Sequence, residues 1–413
     1  MGAGLKVVVL GGSGVATPEL ACALANIPGR SRPIELALTG RSQEKLARVA
    51  GIARMLAGDD AKISISYTTD TEAALEKADI ILNQVRVGGL EGRAFDETFP
   101  HEFGLPGEET VGPGGFANAS RTIPVVLEYA RMIEKICPQA TLLTFANPSS
   151  LVQYAISRYT TLKVTGLCDG PIHFCDNIAN ALGLPRSELK IDYQGMHHFG
   201  WVTGVWHDGC NMLAEVIANA GVAAPDIDPA VTRALGVIPG PYLNYVFHPE
   251  RMLATKLGKR TRAEELIDLQ EQLIVEYAYS LESGKPPDGL SRRKAVWYHA
   301  IIAPVIVALA EEHTSRFILN VKNRNTIAWL PEEAIIEVPV LVEKGNIQAL
   351  EVPTAPQAVK ALVQLNCAYE MLAVEAIVEH NRDKALKALL LNPIIRTYDQ
   401  AAKTLEKAWT YPQ

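Results

Sequence analysis

Two rhythms of apolar and polar positions alternate along the first 165 residues. LKVVVL at 5–10 is a continuous apolar, β-branched run, the pattern of a strand buried on both faces of a parallel sheet. A glycine turn, GGSG at 11–14, follows at once, and TPELACALAN at 17–26 has helical spacing. The alternation repeats in PIELALTG at 33–40 and the helical 42–58, then in KISISYTTD at 62–70 and the helical 71–79. It resumes with IILNQVRVGG at 80–89, a helix at 124–138 and ATLLTFANP at 140–148. Serial βα units predict a doubly wound sheet, whose right-handed crossovers bring the strand ends to one rim. Residues 91–124, rich in Gly and Pro and dense in charge, read as a long functional connection. From about 166 the rhythm fades. The spacing there predicts a helix at 172–184, a β-rich stretch at 189–210, a buried helix at 295–310, a hairpin about Gly345 and helices over 355–393.

The predicted fold is therefore α/β. Residues 1–165 form an N-terminal Rossmann-like dinucleotide-binding domain of the lactate/malate dehydrogenase kind, and 166–413 a C-terminal α+β catalytic and metal-binding domain. In the first unit, strand, glycine turn and helix stand in the order a dinucleotide fingerprint needs. Gly12, Ser13 and Gly14 let the backbone approach a pyrophosphate at a helix N-terminus, although Thr17 stands where a third glycine would fall. The end of the second strand carries Arg41 and Ser42 instead of an acid. That suits a 2′-phosphate, so NADP stands beside NAD; the other reading makes Arg41 a surface residue. Asn83 and Asn147, at later strand ends, are further cofactor candidates, and Asn147 could equally hold a substrate hydroxyl.

Composition narrows the function. The 413 residues are 48% hydrophobic and 21% charged, with a net charge of −7, which gives a nucleic-acid partner no electrostatic support. The apolar run at 295–310 is too short to span a bilayer and contains His299 and Pro304. The N-terminus lacks signal-peptide architecture, and six dispersed cysteines without a CxxC pair suit reduced thiols in a cytoplasmic chain.

Polar clusters sit where apolar runs stop. Cys168 and Asp169 follow VTGL, and His197 and His198 follow IDYQGM. Thiol, carboxylate and imidazole are ligands for a divalent transition metal. Two adjacent histidines are expected to point apart, with one at most a ligand. Tyr242 and Tyr245 stand beside a Gly-Pro turn, and Glu109 lies in the glycine-rich connection.

Together these pieces resemble glycoside hydrolase family 4. The matching stretches are GGSG with TPEL at 17–20, RVGG at 86–89 with Arg93, Asp96 and Glu97, and GEETVGPGGFANASRTIPV at 107–125. Phe145-x-Asn147-Pro148, Cys168-Asp169-x-Pro171, His198-x-x-Trp201, Tyr369-Glu370-x-Leu372 and Leu391-Asn392-Pro393 also fit. The resemblance implies an NAD- and metal-dependent glycosidase outside the two-carboxylate scheme. The nicotinamide takes hydride from C3 of the sugar, a base removes the C2 proton, the C1–O bond breaks by elimination, water adds at C1, and the hydride returns. It implies Cys168 and His198 as ligands of Mn²⁺ or another divalent ion. Asp169 would assist leaving-group departure. Tyr242, or second Tyr245, would be the base, its pKa lowered by the cation, and Glu109 would stand in or beside the metal shell. Arg93, Asn147, Arg262, Arg293 and Lys294 are candidates to hold a phosphorylated glycoside. The chain departs from the family at Glu108 for Gln, Gly170 in CDGP for CDMP, His197 for Asn, and Lys294 in the usual RGGA. Asp169 matches the 6-phospho-α-glucosidase type. Homo-oligomers, dimer or tetramer, are usual in such a family. The alternatives are a lactate/malate-type dehydrogenase, which needs no Cys–His pair, and a non-catalytic NAD-sensing protein.

Overall fold

The computed structural model describes residues 4–58 and 62–410, without the side chain of Thr410. Its backbone is one sheet of 13 strands among the described residues. The first six are β1 (Leu5–Leu10), β2 (Ile34–Thr39), β3 (Ile63–Thr68), β4 (Ile80–Asn83), β5 (Thr141–Thr144) and β6 (Lys163–Gly166). They are parallel and lie in the order β3-β2-β1-β4-β5-β6. The order reverses between β1 and β4, and a crevice outside the carboxyl ends at such a switch point is where ligands bind in open α/β sheets. Val7, Val8 and Val9 of β1 are wholly buried, as the uninterrupted apolar run predicts. Each such side chain contributes roughly 1.5–3 kcal/mol relative to exposure.

The sheet then continues in antiparallel strands. These are β7 (Lys190–Met196), β8 (Phe199–His207), β9 (Cys210–Asn211), β10 (Ile238–Pro239), β11 (Ser315–Lys322), β12 (Ile335–Glu343) and β13 (Asn346–Ala349). Beyond β6 the order runs β11, β12, β7, β8, β10, with β13 on β12 and β9 on β8. The junction is narrow, a single registered pair between Asn320 of β11 and Gly166 of β6. Gly166 has no room for a side chain, since a Cβ there would lie 2.6 Å from Gln153 Oε1 and 2.7 Å from Ser149 Oγ.

Residues 91–124 are not the long loop their composition suggests. A helix covers Gly89–Thr98, a 3₁₀ turn Phe99–Phe103, and a second helix Gly112–Ile136 begins twelve residues before the expected start and runs through Pro124. The glycines serve close packing: a Cβ on Gly114 would lie 2.1 Å from Glu108 O and 2.4 Å from Asp96 O. Arg121 and Asp96, each 1% exposed, join the two helices through a 2.6 Å ion pair. The strand expected over 80–89 ends at Asn83, which frees Gln84–Arg86 for the rim. The predicted helix at 295–310 is a π-turn at Tyr298–Ile302 continued by Ala303–Ala310. The hairpin at Gly345 is β12–β13. The helix Gln357–Val378 is long and apolar enough to cross a bilayer by length and composition, and half of its most apolar window is buried within the fold.

Candidate active site

The glycine turn closes over the end of β2. Gly12 N–H donates to Thr39 O at 2.8 Å, and a Cβ on Gly12 would sit 2.8 Å from Leu38 Cβ. Gly14 is exposed, and the helix Pro18–Asn26 begins four residues later. Gln84 fastens the turn, its amide donating to Gly11 O at 3.3 Å and Thr17 Oγ1 at 2.9 Å while accepting from Tyr298 Oη at 2.8 Å. This cradle of bare backbone, set at the positive end of a helix dipole, fits a pyrophosphate. Arg41 is exposed beyond β2, and Ser42 caps the next helix by accepting from Lys45 N–H at 3.3 Å. Asn83 is buried, with its amide held by Thr144 Oγ1 at 3.1 Å; Asn147 is half-buried at the end of β5.

The second group gathers from β6 and the β7–β8 hairpin. Cys168 lies two residues beyond the end of β6, and its Sγ accepts from Gly170 N–H at 3.4 Å, within the first turn of the helix Gly170–Leu182. Burial, then the charges of Glu337 and Asp169, push its thiol well above the ordinary value. A cation is what would stabilise the thiolate there. His197 and His198 form the two-residue turn between Met196 and Phe199, with His198 at φ 57°. The expectation that they point apart is corrected: the turn stacks the rings at 3.9 Å and 21°. Ligand atoms of Cys168, His197 and His198 all lie within 4.8 Å of one another.

Orientation separates the two histidines. Near-parallel stacked rings cannot both aim an in-plane lone pair at one ion. His198 is the oriented one: its Nδ1 lies 2.9 Å from Thr110 Oγ1. Thr110 donates in turn to Glu108 Oε2, which also accepts from the N–H groups of Thr110 and Val111. The chain makes Nδ1 the donor and leaves Nε2 with a lone pair, the arrangement by which outer partners aim a metal-ligating imidazole. His197 is buried with both ring nitrogens unpartnered, its Nδ1 3.7 Å from the carboxylate of Glu337. These donors fit a divalent ion.

Tyr242 covers the other face of His198 at 3.6 Å and 8°. It is fixed by β10 and the turn Pro241–Leu243. Tyr245 stands a further 6.3 Å away, with Lys256 Nζ 5.4 Å above its ring. Burial, then the carboxylate of Glu108, holds the Tyr242 phenol well above its usual value. A cation at Cys168 and His198 would act in the opposite direction. Asp169 is the N-cap residue beside Cys168, its side chain 27% exposed and 3.7 Å from His173. Sequence reading gave no role to Thr110, Glu337 or Glu370, whose burial shows only in the fold. Ser150, His197, His198, Tyr242, Asn366 and Glu370 line a narrow cavity behind the stack.

A guanidinium cluster adjoins. Glu109 pairs with Arg86, and with Arg93 Nη1 at 2.9 Å. Burial alone would raise its carboxyl, but the two arginines outweigh that and hold it below the usual range. Arg93 also meets Glu97 at 2.7 Å, so both of its contacts are carboxylates. Arg293 lies 4.8 Å above the Trp297 ring, and among the described residues no carboxylate reaches it. Burial, then Arg86, brings its pKa down to about 10. Lys294 is exposed at φ 51°, and Arg262 is exposed and paired with Glu265 at 2.8 Å. The structure thus brings Cys168, His198, Tyr242 and Asp169 together and leaves Arg41, Arg262 and Lys294 outward.

The family model described as "Family 4 glycosyl hydrolase" matches residues 6–184, and its C-terminal domain model matches 193–395. A probable 6-phospho-beta-glucosidase of Bacillus subtilis is 32% identical, over 98% of this chain and 95% of that protein. This chain belongs to glycosyl hydrolase family 4. Its family 4 fold superposes on the 6-phospho-beta-glucosidase of Thermotoga maritima, solved with manganese, NAD⁺ and glucose-6-phosphate. That match has a TM-score of 0.87 at 28% identity and covers 98% and 97% of the two chains. A 6-phospho-alpha-glucosidase from gut microorganisms, solved with NAD and glucose-6-phosphate, gives a TM-score of 0.89 at 25% identity over the same shares. The full-length match to glycosidases sets this family 4 hydrolase apart from the dehydrogenase and sensor alternatives.

Proposed function

We propose that this chain hydrolyses 6-phosphorylated glucosides by the redox-elimination route, in the cytoplasm and as a homo-oligomer. The observation that carries it is the junction of three features on one rim: the glycine cradle, the Cys168–His198–Tyr242 group, and the Arg293 guanidinium, which among the described residues has no carboxylate partner. NAD⁺ bound at Gly12–Gly14 would take and return the C3 hydride, while a divalent ion held by Cys168 and His198 would stabilise charge developing on the C2 and C3 oxygens. Tyr242, packed on His198, is placed to receive the C2 proton, with Tyr245 behind it. Asp169, at the amino end of its helix and partly exposed, is placed to assist the leaving oxygen. Arg86 and Arg93 keep Glu109 ionised beside the site. Arg293, stacked on Trp297, offers its N–H fork to the phosphate, with Lys294 next to it.

Elimination after C3 oxidation needs no displacement at C1, so one such site accommodates either anomer. This agrees with relatives named for both. The test is a panel of α- and β-aryl glucosides with and without a 6-phosphate, assayed with reduced enzyme, Mn²⁺ and NAD⁺ or NADP⁺. Cleavage that requires both additions, without net NADH, is expected. Cleavage independent of nucleotide would overturn the mechanism. Arg293→Gln should raise KM for the phosphorylated substrate about 10–100-fold, the loss of a charged hydrogen bond, and leave unphosphorylated substrate unaffected.

A further inference from the structure

We propose that Glu19, Cys22 and His299 form a second metal site, suited to zinc and outside the reaction just described. Glu19 and Cys22 are three residues apart on the helix Pro18–Asn26, so their side chains share one face. His299 reaches that face from the π-turn Tyr298–Ile302, and such turns recur at functional sites. One ligand atom from each of the three lies within 4.8 Å of the others, and His299 Nε2 is 3.1 Å from Glu19 Oε2.

The donor set decides the ion. Thiolate, imidazole and carboxylate are zinc ligands, and three protein donors leave a fourth position for water. That position faces outward, since the His299 side chain is 48% exposed and that of Glu19 23%. Ion pairing between Glu19 and His299 accounts for two of the three groups; it gives no reason for a free thiol beside them. The Asn26 amide anchors this thiol, donating to Cys22 O at 2.8 Å and lying 3.6 Å from Sγ. On coordination the Cys22 thiol releases its proton to solvent, and Sγ bonds the ion.

The site joins two segments that meet under the glycine turn. Glu19 is two residues beyond Thr17, whose hydroxyl accepts from Gln84, and His299 follows Tyr298, which donates to the same Gln84. An ion there would tie the nucleotide-turn helix to the π-turn behind it.

The test uses the full-length protein, stripped with chelator, reloaded with zinc and desalted. Elemental analysis is expected to find one fewer zinc per chain in Cys22→Ser and in His299→Gln than in the native protein, with turnover in saturating Mn²⁺ and NAD⁺ retained. Cobalt gives a second reading. Cys168→Ser should keep a thiolate-to-cobalt charge-transfer band, and the Cys22→Ser, Cys168→Ser double variant should lose it. Equal zinc content in native, Cys22→Ser and His299→Gln proteins would overturn the proposal, as would absence of that band in folded Cys168→Ser.

Discussion

The hydroxyl of Thr110 governs how His198 presents its free nitrogen. It donates to Glu108 and accepts from Nδ1, so the lone pair remains on Nε2. Thr110→Val keeps the shape and removes the hydroxyl. Outer-shell losses of this kind typically cost 10–100-fold in metal affinity or activity. We expect a drop of about that size in Mn²⁺ affinity, read by activity titration and by equilibrium dialysis; unchanged affinity in both would discard the relay. Tyr242 and Tyr245 separate in the same way. Removal of a general base costs about 10²–10⁴-fold. Tyr242→Phe should therefore lower kcat about that much with KM little changed, and Tyr245→Phe should lower it less. The reverse ranking would move the base to Tyr245. The family resemblance puts Tyr242 ahead of Tyr245, and the Tyr242 ring lying flat on His198 adds a geometric reason for that order.

At the scale of elements, the two helices hidden in residues 89–136 hold the site's charged wall. Their composition reads as loop because Gly107, Gly112, Gly114 and Gly115 sit beside Pro113. In the fold Gly107, Gly114 and Gly115 let backbones approach and Gly112 takes a positive φ of 61°, tertiary uses that propensity does not encode. The Asp96–Arg121 pair locks the helices face to face, with both side chains 1% exposed. Asp96→Ala removes the carboxylate that faces the buried Arg121 guanidinium, a class of change that costs about 3–5 kcal/mol. Urea unfolding should show a loss of that order, and a loss below about 1 kcal/mol would mean that water or another group replaces Asp96. The β strands of the first half were legible for the opposite reason: β1, β2 and β4 are buried on both faces, so their apolar runs are continuous.

Across the whole molecule, buried acids make stability depend on pH. Glu370, behind the histidine stack, is raised from 4.5 to about 8, chiefly by burial, against hydrogen bonds from Ser150 and Asn366. The folded state therefore binds one more proton than the unfolded chain between about pH 4.5 and 8. Its contribution to stability is full below 4.5, falls as pH rises through that window, and levels off above 8. Glu370→Gln should flatten that part of the curve, so urea midpoints at pH 5 and pH 8 should differ less than in the native protein. An unaltered difference would show that other groups set the slope.

What the sequence determined by itself was local and periodic: five of the six parallel strands, the glycine turn, and the residue types at strand ends. Apolar period and turn chemistry act within a few residues, and they can be read along a line. The tertiary structure decided every matter of convergence. It stacked His197 on His198 through a two-residue turn, brought Thr110 to His198 across 88 positions and set Arg293 over the Trp297 ring. It also placed His299 against Glu19, 280 residues away. Such pairings depend on where the sheet and helices carry distant segments, and no short-range pattern records that distance.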